Sequence, residues 1–329
     1  MERKHTRSLR NFHGFGRFKS AVAVAVAVVF VIVVPGRGTS FLREGKPVER
    51  TMVLIVGTQK AGTSWLWKTL SDCPLVRPGF TKEMHIFDAL HVEVFKGYRR
   101  MIQVAAHAAL RTSPVEAPEG RANALRRANF LYQPALYFDY FAALLQEQPV
   151  SVEATPTYMG LPVSVWAEIK DQFASRGVRV APIISLRDPV NRLASDIRFK
   201  HRRERKALSD QELDQRLQEL SRDGINQYVR ICSDYRSAVE RLRNVFGDDL
   251  LVLMYEEFFE TAETERLASF IGLDQISGEF GSRVNSDKKS PAPLKPRRYP
   301  GMVDLFRDQY DFAGDLFGDD AVARYWFRG

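Results

Sequence analysis

The sequence predicts an α/β fold: a P-loop-like, three-layer domain with a central parallel β-sheet flanked by helices. The first observation is the apolar run at 52–57, which ends in a glycine-rich loop followed by residues of helical spacing. Strand, glycine loop and helix is the order in which α/β nucleotide sites begin. The second is a set of three further apolar, β-branched runs, at 149–154, 178–187 and 249–255. Helix-length segments separate these runs, as crossover connections between parallel strands require.

A membrane segment is expected before this domain. Residues 1–19 contain six lysines and arginines, and the apolar run at 21–34 carries no charge. We therefore expect a basic cytoplasmic tail (1–19), a signal anchor (20–35) and a stem (36–50), oriented as a single-pass type II protein by the positive-inside rule. The apolar run is shorter than the ~20 residues that span a bilayer comfortably. A cleaved signal peptide, a buried strand and an organellar transit peptide therefore remain alternatives.

Composition and charge are those of a globular protein with a basic surface. The 329 residues are 45% hydrophobic and 27% charged, which is enough for one α/β domain at 51–329. The formal charge of +8 attracts anionic partners, and acidic glycans, nucleotides and membrane surfaces all fit. No nucleic-acid-binding motif is visible, so nucleic acid is not an expected partner. Cys73 and Cys232 cannot supply a four-ligand zinc site alone, and no metal is expected.

The glycine loop at 57–65 suits a phosphate but departs from the Walker A pattern. Gly57 and Gly62 have the G-x-x-x-x-G spacing, and the loop would present backbone N–H groups and a helix N-terminus to an anion. Thr63 stands where Walker A has its lysine, and the lysine comes earlier, at Lys60. This weakens the interpretation as an ATP-dependent kinase. A lysine in the loop can instead neutralise charge that develops on a leaving phosphate, without a metal.

The segment TQKAGTSW resembles the 5′-phosphosulfate loop of sulfotransferases that use 3′-phosphoadenosine-5′-phosphosulfate (PAPS) and release the desulfated product PAP. The resemblance implies that PAPS is the donor. It also implies that Lys60 stabilises the departing phosphate and that the loop binds the donor through Lys60, Ala61, Gly62, Thr63, Ser64 and Trp65.

Two later segments resemble the rest of the donor site of this family. ISLRDPVNRLASD is similar to the 3′-phosphate site, which implies that Arg187 and Ser195 hold that phosphate. LKPRRYPGM resembles the loop that closes over the nucleotide in heparan sulfate sulfotransferases, which implies donor contacts from Lys295 and Arg297. Pro296 stands where that family has glycine.

The acceptor side rests on the segment TKEMHIFD, which resembles the heparan sulfate type. The resemblance implies that Glu83 is the general base, with His85 as the alternative because its ordinary pKa suits neutral pH. It places Lys82, His85 and Asp88 where they contact the substrate or the base. VEATPTYM is similar to a cleft-lining segment of the family, so Glu153 is expected to bind the acceptor, although Ala154 replaces the lysine of the pattern.

The basic run at 198–206 has two interpretations, a solvated helix face or one wall of a cleft for an anionic polysaccharide. Taken with the resemblance, the sequence predicts sulfuryl transfer from PAPS to a hydroxyl or amino group of a glycan, such as a heparan-sulfate-like polysaccharide, in the Golgi membrane. A small-molecule or lipid acceptor, with the enzyme in the cytoplasm or at a bacterial membrane, is the alternative. A nucleotide kinase and a non-catalytic glycan-binding protein are the alternatives of other classes.

Overall fold

The computed structural model describes residues 42–43, 46–47, 49–111, 113, 117–206, 208–258, 260–276 and 293–327. Two short strands, β1 and β2, pair antiparallel ahead of the main sheet. Five strands then form a sheet of order β4-β5-β3-β6-β7 in which every neighbouring pair is parallel. The strands are β1 (Leu42–Arg43), β2 (Lys46–Pro47), β3 (Thr51–Gly57), β4 (Val76–Pro78), β5 (Val150–Ala154), β6 (Arg179–Leu186) and β7 (Leu251–Met254).

Fourteen α-helices lie within the described residues, most of them connecting the strands of the sheet or following the last one. They are α1 (Thr63–Ser71), α2 (Phe87–His91), α3 (Gly97–Arg111), α4 (Pro118–Tyr132), α5 (Ala135–Glu147), α6 (Val163–Ala174), α7 (Pro189–Arg203), α8 (Asp210–Asp223), α9 (Gln227–Ser233), α10 (Tyr235–Phe246), α11 (Thr261–Phe270), α12 (Pro300–Leu305), α13 (Arg307–Phe317) and α14 (Asp319–Tyr325).

The sheet separates two apolar cores, which makes the domain three-layered. Strand β3 is buried throughout, and because its side chains alternate between faces, Met52 and Leu54 join one core while Val53 and Ile55 join the other. The smaller core also contains α1 and the strand-facing side of α11, and the larger core contains most of the remaining helices. A strand covered on both faces reads as the continuous apolar run seen in the sequence.

The site follows from the strand order. Strand β3 has β5 on one side and β6 on the other, so the connections leaving the carboxyl ends of β3 and β6 run to opposite faces of the sheet. Ligands of open α/β sheets bind at such switch points. The glycine loop follows β3, and Arg187 follows β6 directly, so both lie at this edge.

The predicted fold class is confirmed, and the four predicted strands are present with ends within two residues of the prediction. Strand β4 was not predicted, because three residues are too few to show alternation. The expected cytoplasmic tail, signal anchor and most of the stem lie outside the described residues. Within the part of the chain that the structure describes, no helix is both long and apolar enough to cross a membrane.

Candidate active site

A cleft of about 920 Å³ opens at the carboxyl edge of the sheet. It brings together the glycine loop, the segment before α2, the first half of α3, and the middle and end of α7. Among the predicted site residues, ten line this cleft: Lys60, Gly62, Thr63, Ser64, Trp65, Lys82, Glu83, His85, Arg187 and Ser195.

The glycine loop is held in its shape by the strand next to it. Lys60 and Gly62 both have left-handed backbone, with φ of 68° and 80°. Ala61 is fully buried, and its carbonyl oxygen accepts a hydrogen bond of 2.7 Å from Ser185 of β6. Helix α1 begins at Thr63 with no acidic residue in its first turn and no side-chain cap, so no side chain of that turn competes with an anion for its N-terminal N–H groups.

The Lys60 side chain points into the cleft. Its ammonium lies 4.1 Å from the centre of the Phe199 ring, and it makes no ion pair with any described carboxylate. Burial is the main reason that its pKa falls to about 8, with nearby Asp196 opposing the shift. A cation that has lost much of its hydration and holds no counter-ion is ready for an incoming phosphate.

Arg187 and Ser195 face the cleft from β6 and α7. The Nη1 group of Arg187 donates to the Lys60 carbonyl at 2.8 Å, and the guanidinium stacks 4.7 Å from the centre of the Tyr255 ring. These contacts fix the plane of the guanidinium. No described carboxylate forms an ion pair with Arg187, and the Ser195 hydroxyl has no hydrogen-bond partner among the described residues. Both groups can therefore donate to one anion.

Residues 83–88 carry a relay of three ionisable groups at the cleft. Nε2 of His85 lies 3.3 Å from Oε2 of Glu83, and Nδ1 lies 2.7 Å from Oδ2 of Asp88. The other Glu83 oxygen pairs with Nζ of Lys82 at 2.6 Å. Glu83 exposes 41% of its side chain to the cleft, whereas the side chains of His85 and Asp88 expose 4% and 0%. Glu83 is therefore the member that a substrate can reach.

The charge states in this relay are set by its own contacts. Burial alone would raise the pKa of Glu83, but the His85 hydrogen bond and the Lys82 charge lower it to about 2. Burial alone would lower the pKa of His85, but the hydrogen bonds to Asp88 and Glu83 raise it above its ordinary value. The imidazole thus lies between two carboxylates, which favour its protonated form.

The backbone of this segment is fixed from beneath by β5 and the residues after it. The Met84 N–H donates to Oε1 of Glu153 at 3.1 Å and to the Thr155 hydroxyl at 3.0 Å. His85 has left-handed backbone, φ 52°, and its ring stacks 3.6 Å from the ring centre of Tyr98 on α3. These contacts hold a backbone that L-residues otherwise avoid.

Glu153 lies in a different place from the one its predicted role requires. It is completely buried, it is absent from the cleft lining, and it accepts a hydrogen bond of 2.9 Å from Tyr137. Burial raises its pKa to about 7. Its contacts are those of a support for the Met84 backbone, so the structure places no direct acceptor contact here.

Other predicted residues also lie away from the cleft lining. Asp88 lies behind His85, where it holds the imidazole. Lys295 and Arg297 are exposed, Lys295 just before a short 3₁₀ turn and Arg297 within it. Asn191 of α7 holds the start of this segment through two hydrogen bonds to the Leu294 backbone. The predicted donor contacts of these two cations stay untested.

The basic run is divided between the two interpretations. Lys200, Arg202 and Arg203 line the cleft with Phe199, while Lys206 pairs with Glu204 outside it. Three further lining residues, Tyr98, Met101 and Arg127, were not predicted from the sequence. Helical spacing shows which residues share a face of α3 or α4. It cannot show that this face packs beside Glu83 and His85.

No family model matches this sequence, and no curated protein matches it. Solved structures do. A sulfotransferase from Alicyclobacillus acidocaldarius is 20% identical with a TM-score of 0.50, and the alignment covers 80% of this chain and 94% of that one. The sulfotransferase domain of the Synechococcus PCC 7002 olefin synthase is 13% identical (TM-score 0.43; 79% and 94% covered), and sulfotransferase STF9 from Mycobacterium avium is 14% identical (0.38; 82% and 78%). The first likeness shows that the chain has the sulfotransferase fold.

Proposed function

We propose that this protein transfers the sulfuryl group of PAPS to a hydroxyl or amino group of an acceptor. The observation that carries the proposal is the meeting of Lys60, Arg187 and Glu83 in one cleft at the switch point of the sheet. The first two are cations without carboxylate partners, spaced along the wall from the glycine loop to α7. The third is an ionised carboxylate on the opposite side. The fold of the chain supports the same reaction class.

The donor fits the residues present. The 5′-phosphosulfate would lie on the N–H groups of the glycine loop and the first turn of α1, and the 3′-phosphate on Arg187 and Ser195. Attack of the acceptor oxygen or nitrogen forms its bond to sulfur and breaks the bond from sulfur to the 5′-phosphate oxygen. Lys60 stabilises the negative charge that this oxygen gains, and no step requires a metal.

Glu83 receives the acceptor proton in this proposal, in preference to His85. Nδ1 of the imidazole faces Asp88 and Nε2 is directed at Glu83, so His85 has no free nitrogen for an acceptor. The low pKa of Glu83 makes it a weak base in the free protein. The proton transfer is therefore expected late, when the acceptor oxygen has bonded to sulfur and become acidic.

For the acceptor we propose a carbohydrate. Five cations beyond the donor contacts line the cleft, namely Lys82, Arg127, Lys200, Arg202 and Arg203, and the Tyr98 and Tyr228 rings line it too. Aromatic faces and cations together suit sugar rings that carry anionic groups. We further propose that residues 20–35 anchor the protein in the Golgi membrane with the catalytic domain in the lumen. Carbonate extraction and protease protection of the full-length protein in membranes test this proposal.

Calorimetric titration of the full-length protein with PAP and with Mg-ATP tests the donor. We expect micromolar PAP binding that weakens at least tenfold, or ~1.4 kcal/mol, in Arg187→Ala. Arg230→Ala, an exposed arginine of α9, is the matched control and should bind PAP like the wild type. Preference for Mg-ATP would favour a kinase instead, and a folded protein that binds neither nucleotide would favour a glycan-binding protein.

A further inference from the structure

An apolar stripe on α3 runs out of the cleft from residues 82–88, which contain Glu83 and His85 and are called the catalytic segment below. It consists of Tyr98, Met101, Val104, Ala105 and Ala108, which follow each other at helical spacing on one side of the helix. Tyr98 is half-buried and the other four are exposed. The stripe spans eleven residues, or about 15 Å along the helix axis from the first to the last.

The stripe begins at the reacting groups. The Tyr98 ring stacks on His85, whose Nε2 contacts Glu83. Met101 comes one turn later and also lines the cleft. The surface of α3 is therefore continuous with the place where Glu83 meets an acceptor.

The exposure of this stripe is unusual for the molecule. Seven large hydrophobic side chains are exposed among the described residues. Two of them, Met101 (46%) and Phe199 (37%), line the cleft, and Val104 (60%) follows Met101 on α3. Single exposed hydrophobic residues are normal on a soluble protein, but a continuous set that leads from a binding cleft indicates a ligand surface.

The charges around the stripe are consistent with a ligand that has an ionic head. Helix α3 contains no acidic residue, and Arg127 from α4 lines the cleft next to the catalytic segment. The Nε group of Arg127 donates to the Met84 carbonyl at 2.7 Å, and no described carboxylate forms an ion pair with the guanidinium. The polar end of a ligand would thus meet cations and its other end would meet apolar side chains.

We infer that the acceptor is an amphiphile: its hydroxyl-bearing polar head lies at Glu83, and its apolar part lies along the α3 stripe towards Val104. The inference rests on the proposed sulfuryl transfer and narrows its acceptor class, since a glycan that carries a lipid or aryl group fits and a purely polar polysaccharide leaves the stripe bare.

Alkyl sulfates test the inference because they are the products that amphiphilic alcohols would give. The full-length protein is saturated with PAP, and the dissociation constants of butyl and octyl sulfate are measured by calorimetry below the micellar concentration. Each CH₂ of the alkyl group that becomes fully buried strengthens binding about fourfold, and a CH₂ that is covered on one side by an open surface strengthens it about twofold. Octyl sulfate should therefore bind at least tenfold tighter than butyl sulfate.

Two pairs of variants locate the effect. Met101→Gln with Val104→Gln should reduce the octyl-to-butyl ratio to about twofold, and Val104→Gln alone should reduce it partly. Leu75→Gln with Leu305→Gln removes exposed hydrophobic residues elsewhere and should leave the ratio unchanged. An unchanged PAP affinity verifies that each variant is folded.

Three results would overturn the inference: a ratio near one in the wild type, a ratio that the α3 variants leave unchanged, or an equal loss in both variant pairs. Failure of the proposed function has a separate readout, because it would appear as loss of PAP binding or insensitivity to Arg187→Ala before any alkyl sulfate is added.

Discussion

Nε2 of His85 lies 3.3 Å from Oε2 of Glu83, which couples a buried imidazole to the carboxylate that faces the cleft. The imidazole is held on its other side by Asp88, so it stays protonated to higher pH than an ordinary histidine. Glu83 in turn stays ionised down to about pH 2. The exposed carboxylate and its buried support therefore have separate roles, which substitution can distinguish.

Glu83→Gln should abolish transfer and leave donor binding intact. The amide keeps the size of the side chain but cannot accept a proton, and loss of a general base costs about 10²- to 10⁴-fold in rate. Turnover with labelled PAPS and PAP calorimetry on the same samples measure both effects. Glu204→Gln, an exposed glutamate paired with Lys206 outside the cleft, is the control and should turn over normally. Unchanged turnover in Glu83→Gln would remove Glu83 as the base.

Asp88→Asn should lower the pKa of His85 and change the pH dependence of stability. The raised pKa of His85 contributes stability that is complete below about pH 6.5 and is lost as pH rises through the higher folded value. In the variant the Asp88 contribution disappears, and burial, which lowers the pKa, is then opposed by Glu83 alone. The loss of unfolding free energy, about 1–3 kcal/mol, should therefore be larger at pH 6 than at pH 9.

Urea unfolding at the two pH values measures this difference. Asp210→Asn at the exposed start of α8 is the matched control, because its ion pair with Arg198 is long, at 3.5 Å, and lies at the surface. It should change stability little at either pH. An equal loss at both pH values in Asp88→Asn would mean that Asp88 supports the fold without affecting the protonation of His85.

Much of the sheet could be predicted from the sequence because its strands are buried on both faces. Each of β3, β5 and β6 reads as a short apolar run, and the glycine loop marks where β3 ends. Strand β4 could not be predicted, because Val76 is the single fully buried residue among its three. Pairing with β5, which no local pattern encodes, is what makes it a strand.

The donor half of the site was easier to predict than the acceptor half. Lys60 and Arg187 each follow a strand directly, so sequence position fixes their place at the sheet edge. Met101 and Arg127 reach the cleft from helices α3 and α4, whose orientation depends on tertiary packing. The burial of Glu153 could not be predicted either: it lies next to cleft residues in sequence, but strand alternation and the bond from Met84 keep it beneath them.

PAP binding should weaken as pH rises above about 8 because Lys60 then loses its charge. In the protein without PAP, burial lowers the pKa of Lys60 to about 8. A bound phosphate raises this pKa again, so above about pH 8 PAP binding is accompanied by uptake of a proton. The affinity should fall up to tenfold per pH unit until the bound-state pKa is reached. The phosphates of PAP themselves are ionised well below this range, with pKa values near 6.

Lys60→Arg provides the control, since a guanidinium keeps its charge throughout. Its PAP affinity should be nearly constant from pH 7 to 10, whereas the wild type loses about tenfold or more. Calorimetry over this range measures both proteins. A parallel decline in wild type and Lys60→Arg would assign the pH dependence to another group.

Gly62→Ala should damage both the fold and the donor site. The residue has φ of 80°, and a Cβ there would lie 2.7 Å from the Phe258 ring and 2.9 Å from the Tyr255 ring. Left-handed backbone costs an L-residue about 1–2 kcal/mol, and the overlap adds to this, so we expect at least ~2 kcal/mol of destabilisation. Because Tyr255 stacks on Arg187, any displacement of its ring should also weaken PAP binding.

Gly120→Ala in α4, where a Cβ meets nothing within 4 Å, should instead be neutral or stabilise by up to ~1 kcal/mol. Thermal and urea unfolding measure the stability of both variants, and PAP titration measures their donor binding. Equal stability and equal PAP affinity in Gly62→Ala and Gly120→Ala would show that the loop does not need its glycine.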